Sequence, residues 1–151
     1  MANIVESQLF QPLLSELQKK CYVILSTVDS ETGAPDVNAI SWVFAKDEHT
    51  ILFAVAKRSK IVENIEQTKH AVITVIANES TYSISGEATV KVEELEGVSL
   101  KLSLIELHIN EVRDVMFYGS KISAEPQYET TYDPEAAEAL DEKVMEVLKK
   151  A

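Results

Sequence analysis

The sequence predicts a mainly β chain, an antiparallel β-barrel with flanking helices. Three observations carry this. Short apolar runs rich in β-branched residues recur from Cys21 to Tyr118, each closed by turn residues. Residues 81–92 alternate cleanly: Tyr82, Ile84, Gly86 and Ala88 fall on one side, Thr81, Ser83, Ser85 and Glu87 on the other, as an antiparallel strand with one wet face requires. Helical periodicity is confined to the two ends of the chain and one short stretch in the middle. With 151 residues, 46% of them hydrophobic, the chain is long enough for a single domain over 1–151. Its barrel is expected over about 20–118 and a last helix over about 134–150.

The elements follow in order. Val5, Leu9, Leu13, Leu14 and Leu17 are spaced for one apolar face and predict a helix over 4–20, which Pro12 must kink or restart near Gln11. Cys21 to Val28 reads as a strand, and Asp29-Ser30-Glu31-Thr32-Gly33-Ala34-Pro35 as a turn. A second strand is predicted from Asp36 to Ala45, a polar turn over Lys46–His49, and a buried third strand from Ile51 to Ala56. A short helix over 60–68 crosses to a fourth strand, 71–77, and then to the alternating strand 81–92, where Gly86 suggests a bend or a close backbone approach. Beyond an acidic turn, the apolar phase slips from Leu100, Leu102 and Leu104 to Ile105, Leu107 and Ile109, which predicts a β-bulge. Val112 to Tyr118 reads as a final strand. Asp133-Pro134 opens the last helix, with acids in its first turns and Lys149-Lys150 at its end, as the helix dipole favours. Its narrow apolar stripe could dock on its own barrel or on a second subunit. Six or seven such strands can close a small barrel.

Charge narrows the function. A net charge of −11 argues against nucleic acid and anionic membranes as partners. No apolar run approaches the length of a membrane span, the first residues lack the pattern of a signal peptide, and the single Cys21 forms no internal disulfide. A cytoplasmic setting is expected. His49, His70 and His108 share no ligand spacing, so no metal is expected, and neither a GxGxxG nor a GxSxG motif occurs.

One local feature runs against the global charge. Lys57, Arg58 and Lys60 crowd a turn between a buried strand and a helix start, with Ser59 placed to cap that helix. Unpaired N–H groups, a partial positive charge and cations together make a phosphate seat. A solvated basic turn is the plainer alternative.

Leu25-Ser26-Thr27-Val28 with Gly33-Ala34-Pro35, the run Asn38-Ala39-Ile40-Ser41-Trp42-Val43, the turn Lys57-Arg58-Ser59-Lys60 with Asn64-Ile65, and Ser85-Gly86-Glu87-Ala88 follow one another in an order and spacing that resembles the pyridoxamine 5′-phosphate oxidase-like split-barrel superfamily. The similarity spans roughly residues 10–118. It implies a six-stranded antiparallel split barrel and a homodimer with FMN in clefts between the subunits. It also implies hydride or electron transfer through FMN, with no catalytic side chain assigned. Carried over by position, Arg58, Ser59 and Lys60 would hold the FMN phosphate with Lys57 beside them. Asn38, Ala39, Ile40 and Ser41 would line the flavin ring, largely through backbone groups. Ala54 and Val55 would lie under the ring or ribityl chain, Thr81 and Tyr82 would approach from the partner subunit, and Tyr118 would stand near the flavin. Ile40, Ala54 and Val55 would equally suit a plain core.

Pyridoxamine-phosphate oxidases end in a basic, tryptophan-bearing segment that grips the substrate phosphate, whereas this chain ends in an acidic amphipathic helix. A small-molecule substrate or electron donor other than pyridoxamine phosphate is therefore expected. A non-catalytic flavin carrier, sensor or electron-transfer protein is the alternative, and related split barrels bind haem or a deazaflavin in place of FMN. An oligonucleotide-binding barrel is disfavoured by the acidity and by the lack of basic, aromatic faces.

Overall fold

The computed structural model describes residues 5–151. Eight strands and three helices follow in the order β1 (Val5–Glu6), α1 (Gln11–Glu16), β2 (Val23–Val28), β3 (Pro35–Ile40), β4 (Val43–Asp47), β5 (Thr50–Ala56), α2 (Lys60–Thr68), β6 (His70–Ala77), β7 (Ser80–Val92), β8 (Leu102–Asp114) and α3 (Pro134–Lys150). The sheet is antiparallel throughout and runs β3-β2-β6-β7-β8-β5-β4, with β1 paired to β8. β3 and β4 are thus consecutive in sequence yet end the sheet on opposite sides. The mainly β, split-barrel class expected from the sequence is the one observed; the strand count is higher than six because the second predicted strand divides and residues 5–6 add a short one.

The barrel core takes alternate residues of β2 and of β4 to β8. Val23 and Leu25 of β2, Ile73 and Val75 of β6, Ile84 of β7 and Ile105 and Leu107 of β8 are all buried together with Leu13 and Leu17 of the α1 segment and Ile61 and Ile65 of α2. A second cluster lies outside the barrel wall. There Leu52 and Ala54 of β5 and Leu102 and Leu104 of β8 meet Val144 and Leu148, so α3 docks on its own sheet.

Four expectations need correction. Residues 5–9 are not helical: Val5 and Glu6 pair with Arg113 and Val112, and α1 starts at Gln11, where Pro12 sits at the first turn and costs no hydrogen bond. The expected start at residue 4 lies outside the described residues. The predicted strand 36–45 breaks at Ser41–Trp42. Its inward phase reverses there: Ile40 packs on the barrel core, as do Val43 and Ala45, while Trp42 and Phe44 pack on the outer cluster.

The third correction concerns the bulge, which lies at the predicted point but takes its extra residue from β7 rather than β8. The two apolar series in β8 belong to opposite faces, Leu102 and Leu104 under α3 and Ile105, Leu107 and Ile109 in the barrel. At that point the register skips Lys91 of β7, and β8 carries its own irregularity at Asn110, between Ile109↔Gly86 and Glu111↔Ser85. Last, β8 runs unbroken to Asp114, and the residues from Val115 to Tyr118 are not strand.

The outer edge of β4 is occupied by the chain before β2. The Ala45 amide donates to the Leu17 carbonyl at 3.0 Å, and Gln18 Nε2 donates to the Ala45 carbonyl at 3.0 Å.

Candidate functional site

The basic turn links the end of β5 to the start of α2. Lys57 is tied down by its amide, which donates to the Lys101 carbonyl at 3.0 Å, and Ser59 by its own amide, which donates to Ala56 at 3.0 Å. Ser59 is the N-cap residue of α2 with extended backbone, yet its hydroxyl makes no capping bond. Its Oγ is buried and has no hydrogen-bond partner. The expected Ser59 cap is therefore absent, and a polar atom is left unsatisfied beside the uncapped first turn of a helix.

The three cations are not an isolated cluster. Lys57 Nζ meets Glu94 Oε1 at 3.0 Å. Lys60 Nζ forms an ion pair with Asp29 and stands 3.6 Å from Asp36 Oδ2. Arg58, which is exposed, makes no ion pair among the described residues. Three carboxylates therefore offset the three cations, and self-repulsion of the turn gives no argument for a bound anion. The argument rests instead on what is uncommitted: the Arg58 guanidinium and the Ser59 hydroxyl.

Asp29 is 5% exposed and does double duty. Its Oδ1 accepts from the amides of Glu31 at 2.8 Å and Thr32 at 2.9 Å, closing the turn between β2 and β3. The Lys60 ammonium, with those two amides, holds the Asp29 carboxyl well below the usual carboxylate range. Lys60 is raised in turn, chiefly by its hydrogen bond to Asp29. Asn64, fully buried on the inward face of α2, completes the cluster. Its Nδ2 donates to Thr27 Oγ1 at 3.0 Å and Asp36 Oδ2 at 2.9 Å, and its Oδ1 accepts from the Ser30 amide at 3.0 Å. Sequence reasoning assigned no role to Asp29 or Asp36. The signal that could have found them is Asn64 itself, a polar residue in the apolar phase of Ile61, Val62 and Ile65 that must find buried partners.

The other predicted residues fall in four places. Asn38 and Ala39 are exposed and Ile40 is half-buried on β3, which ends the sheet and so has one backbone edge unpaired among the described residues; Ser41 follows in the break. Ala54 and Val55 are buried at 3% and 6% exposure, the first under α3 and the second in the barrel, so neither side chain faces open space. Thr81 and Tyr82 open β7. Thr81 pairs with Ile76, whereas the Thr27 end of the sheet pairs with Ala71. Five residues of strand separate the two levels, roughly 16 Å. Tyr82 turns into its own core, edge-on to Phe10 at 5.3 Å, with its hydroxyl accepting from Asn78 Nδ2 at 3.2 Å. Tyr118 is 90% exposed. Within one chain the structure gathers residues 57–60 with Asp29 and Asp36, and leaves Thr81, Tyr82 and Tyr118 away from them.

A cleft of about 540 Å³ opens elsewhere, between the chain leading into β2, the end of β6 and the segment 125–130, and none of the predicted residues lines it. Cys21 borders it, but burial pushes its thiol up to about 12, so it stays protonated and unreactive. Among the described residues no helix is long and apolar enough to cross a membrane.

Residues 11–116 match the family model for pyridoxamine 5′-phosphate oxidase. The chain belongs to the pyridoxamine 5′-phosphate oxidase family. The match covers the barrel and the basic turn and stops before α3. Solved structures agree on the fold. A pyridoxamine 5′-phosphate oxidase candidate from Lactobacillus delbrueckii superposes with a TM-score of 0.61 at 17% identity, over 71% of this chain and 94% of that one. HupZ from Group A Streptococcus gives a TM-score of 0.61 at 13% identity, over 77% and 99%. An F420 reductase gives 0.56 at 18% identity, over 65% and 93%. No curated protein matches the chain. α3 thus stands outside the part shared with the pyridoxamine 5′-phosphate oxidase family, and it covers an outer wall of the barrel that strands alone would leave open.

Proposed function

We propose that this chain is an FMN-binding oxidoreductase that works as a homodimer, with a substrate other than pyridoxamine phosphate. The observation that carries the reading is the pair of uncommitted groups at the start of α2, the unpaired Arg58 guanidinium and the buried Ser59 hydroxyl without a partner. A phosphate accepts from both, and the first-turn amides of α2 add to it. Lys57 and Lys60 flank that position. The free edge of β3, from Asn38 to Ser41, offers backbone donors and acceptors to a planar ring, whereas Ala54 and Val55, buried on opposite faces of β5, anchor the strand that leads into the basic turn. When bound, FMN would supply two-electron and one-electron transfer; the protein would supply placement, electrostatics and exclusion of water.

A second copy fits one face of the sheet. The outward residues of β3, β2, β6 and β7 include Val37, Ala39, Ile24, Val72, Thr74 and Ser83, and they are neighbours in the register. Charged residues enter only at the margin of this patch, at Glu87 of β7 and at Glu111 and Arg113 of β8, although they make up 26% of the chain. A large uncharged face of this kind marks an interface. A partner docked there would bring its own Thr81, and the backbone of its Tyr82, toward the first copy's site.

The deciding experiment is titration of the purified chain with FMN and with riboflavin. A charge-assisted phosphate contact is worth about 1.5–3 kcal/mol, so FMN should bind at least tenfold tighter than riboflavin, and Arg58→Ala should remove most of that margin. Equal affinities would end the reading. Reduction of bound FMN by NADH or NADPH with turnover of an electron acceptor separates an enzyme from a carrier.

A further inference from the structure

Lys60 sits where a phosphate ligand would be sought, but its ammonium is already spent. It pairs with Asp29 and lies 3.6 Å from Asp36. Both carboxylates are fixed from behind, Asp29 by the amides of Glu31 and Thr32 and Asp36 by Asn64. Withdrawing Lys60 toward an anion would strand the buried Asp29 charge, which is the costly way to break such a pair. Lys60, Asp29 and Asp36 together carry a net charge of −1, so this group repels a phosphate rather than drawing it in. Arg58, two residues earlier, has no such competitor among the described residues.

We propose that Lys60 is a positioning residue: bridged to Asp29 and Asp36, it pins the start of α2 to the turn between β2 and β3, and so aims Arg58 and Ser59 at the phosphate without touching it. The proposal rests on the reading of residues 57–60 as a phosphate seat. It assigns the buried polar cluster a purpose: Asn64 and Thr27 hold one side of the joint, Lys60 the other, and the orientation of the helix start follows from both. It also makes Arg58 the single cation on which discrimination between FMN and riboflavin depends.

Two measurements test this. The first uses the chain without ligand, in a urea double-mutant cycle of Lys60→Met and Asp29→Asn. The asparagine keeps the oxygen that accepts from Glu31 and Thr32 and removes only the charge. The strut requires that Lys60→Met lowers the urea midpoint in the parent and has little further effect in the Asp29→Asn background; additive effects would overturn it. The second measures FMN and riboflavin affinity for Lys60→Met, Arg58→Ala and the double variant. Acting through Arg58, Lys60→Met is expected to weaken FMN several-fold in the parent and to have little further effect once Arg58 is alanine, with riboflavin unaffected throughout, while Arg58→Ala alone costs about tenfold or more. An FMN-selective loss that persists in full in the Arg58→Ala background would make Lys60 a direct ligand and overturn the proposal, and so would an FMN affinity that Lys60→Met leaves unchanged in the parent. Absence of FMN binding to the parent chain would remove the phosphate seat itself, whereas the urea cycle judges the strut independently.

Discussion

The indole Nε1 of Trp42 donates to Asp141 Oδ1 at 2.8 Å, joining residues 99 apart in sequence. The bond fastens α3 to the break between β3 and β4, and Asp141 also takes Lys20 Nζ at 3.0 Å. A helix with only Ala137, Val144 and Leu148 fully buried needs such a latch. Trp42→Phe should therefore lower stability by about 1–2 kcal/mol, from the lost hydrogen bond and the smaller ring. Urea unfolding followed by circular dichroism would show the shift, and α3 amides should exchange faster. An unchanged midpoint would mean that α3 is held by its apolar stripe alone.

Gly86 is fixed by close approach of two backbones. A methyl group there would overlap the His108 carbonyl oxygen and lie 2.9 Å from its carbon. These are backbone atoms beside the Asn110 irregularity and cannot turn aside. Gly86→Ala should cost about 3 kcal/mol, at the upper end for overpacking, read as a lowered urea midpoint. Tolerance of alanine would show that β7 and β8 can part locally.

The Asp29–Lys60 pair sets a pH window for stability. Asp29 is lowered in the folded chain, so its contribution is complete above the unfolded carboxylate range, about 3.9, and is lost as pH falls toward its folded value. Lys60 is raised, so its contribution is complete below about 10.4 and is lost as pH rises through its folded value. The midpoint of urea unfolding should fall off below pH 4 and again above pH 10.5. In Asp29→Asn the acid limb should be shallower than in the parent; identical acid limbs would refute the link.

The uncharged sheet face predicts a mass of two chains in solution, and a charge placed in it should undo that. Val72 points outward between Ser26 of β2 and Ser85 of β7. Val72→Glu leaves the barrel core untouched, so it should keep the parent's circular dichroism, run as a single chain by light scattering, and bind FMN at least tenfold more weakly. A parent that is itself monomeric would sink this prediction directly.

The strands were readable wherever one face was wet. Residues 81–92 alternate because only their inner side is covered, and the structure follows that alternation. Legibility failed where both faces are covered or the covering changes side. β8 looked phase-shifted because α3 hides Leu102 and Leu104 on one side while the barrel hides Ile105 and Leu107 on the other. The run from Asp36 to Ala45 looked continuous because nothing in its composition marks the reversal at Ser41–Trp42. The basic turn was placed correctly between β5 and α2, but its electrostatics were not legible. Asp29 and Asp36 lie far from Lys60 in sequence, and only the fold brings them to it.

The contacts of Ala45 with Leu17 and Gln18 have a bearing on solubility. They consume backbone groups on the rim of β4 that would otherwise recruit a foreign chain. The sheet therefore has one sealed margin and one open margin, at β3. A truncation that removed residues 11–20 would expose a second template for strand addition, and the shortened chain should precipitate under conditions in which the full one stays dissolved.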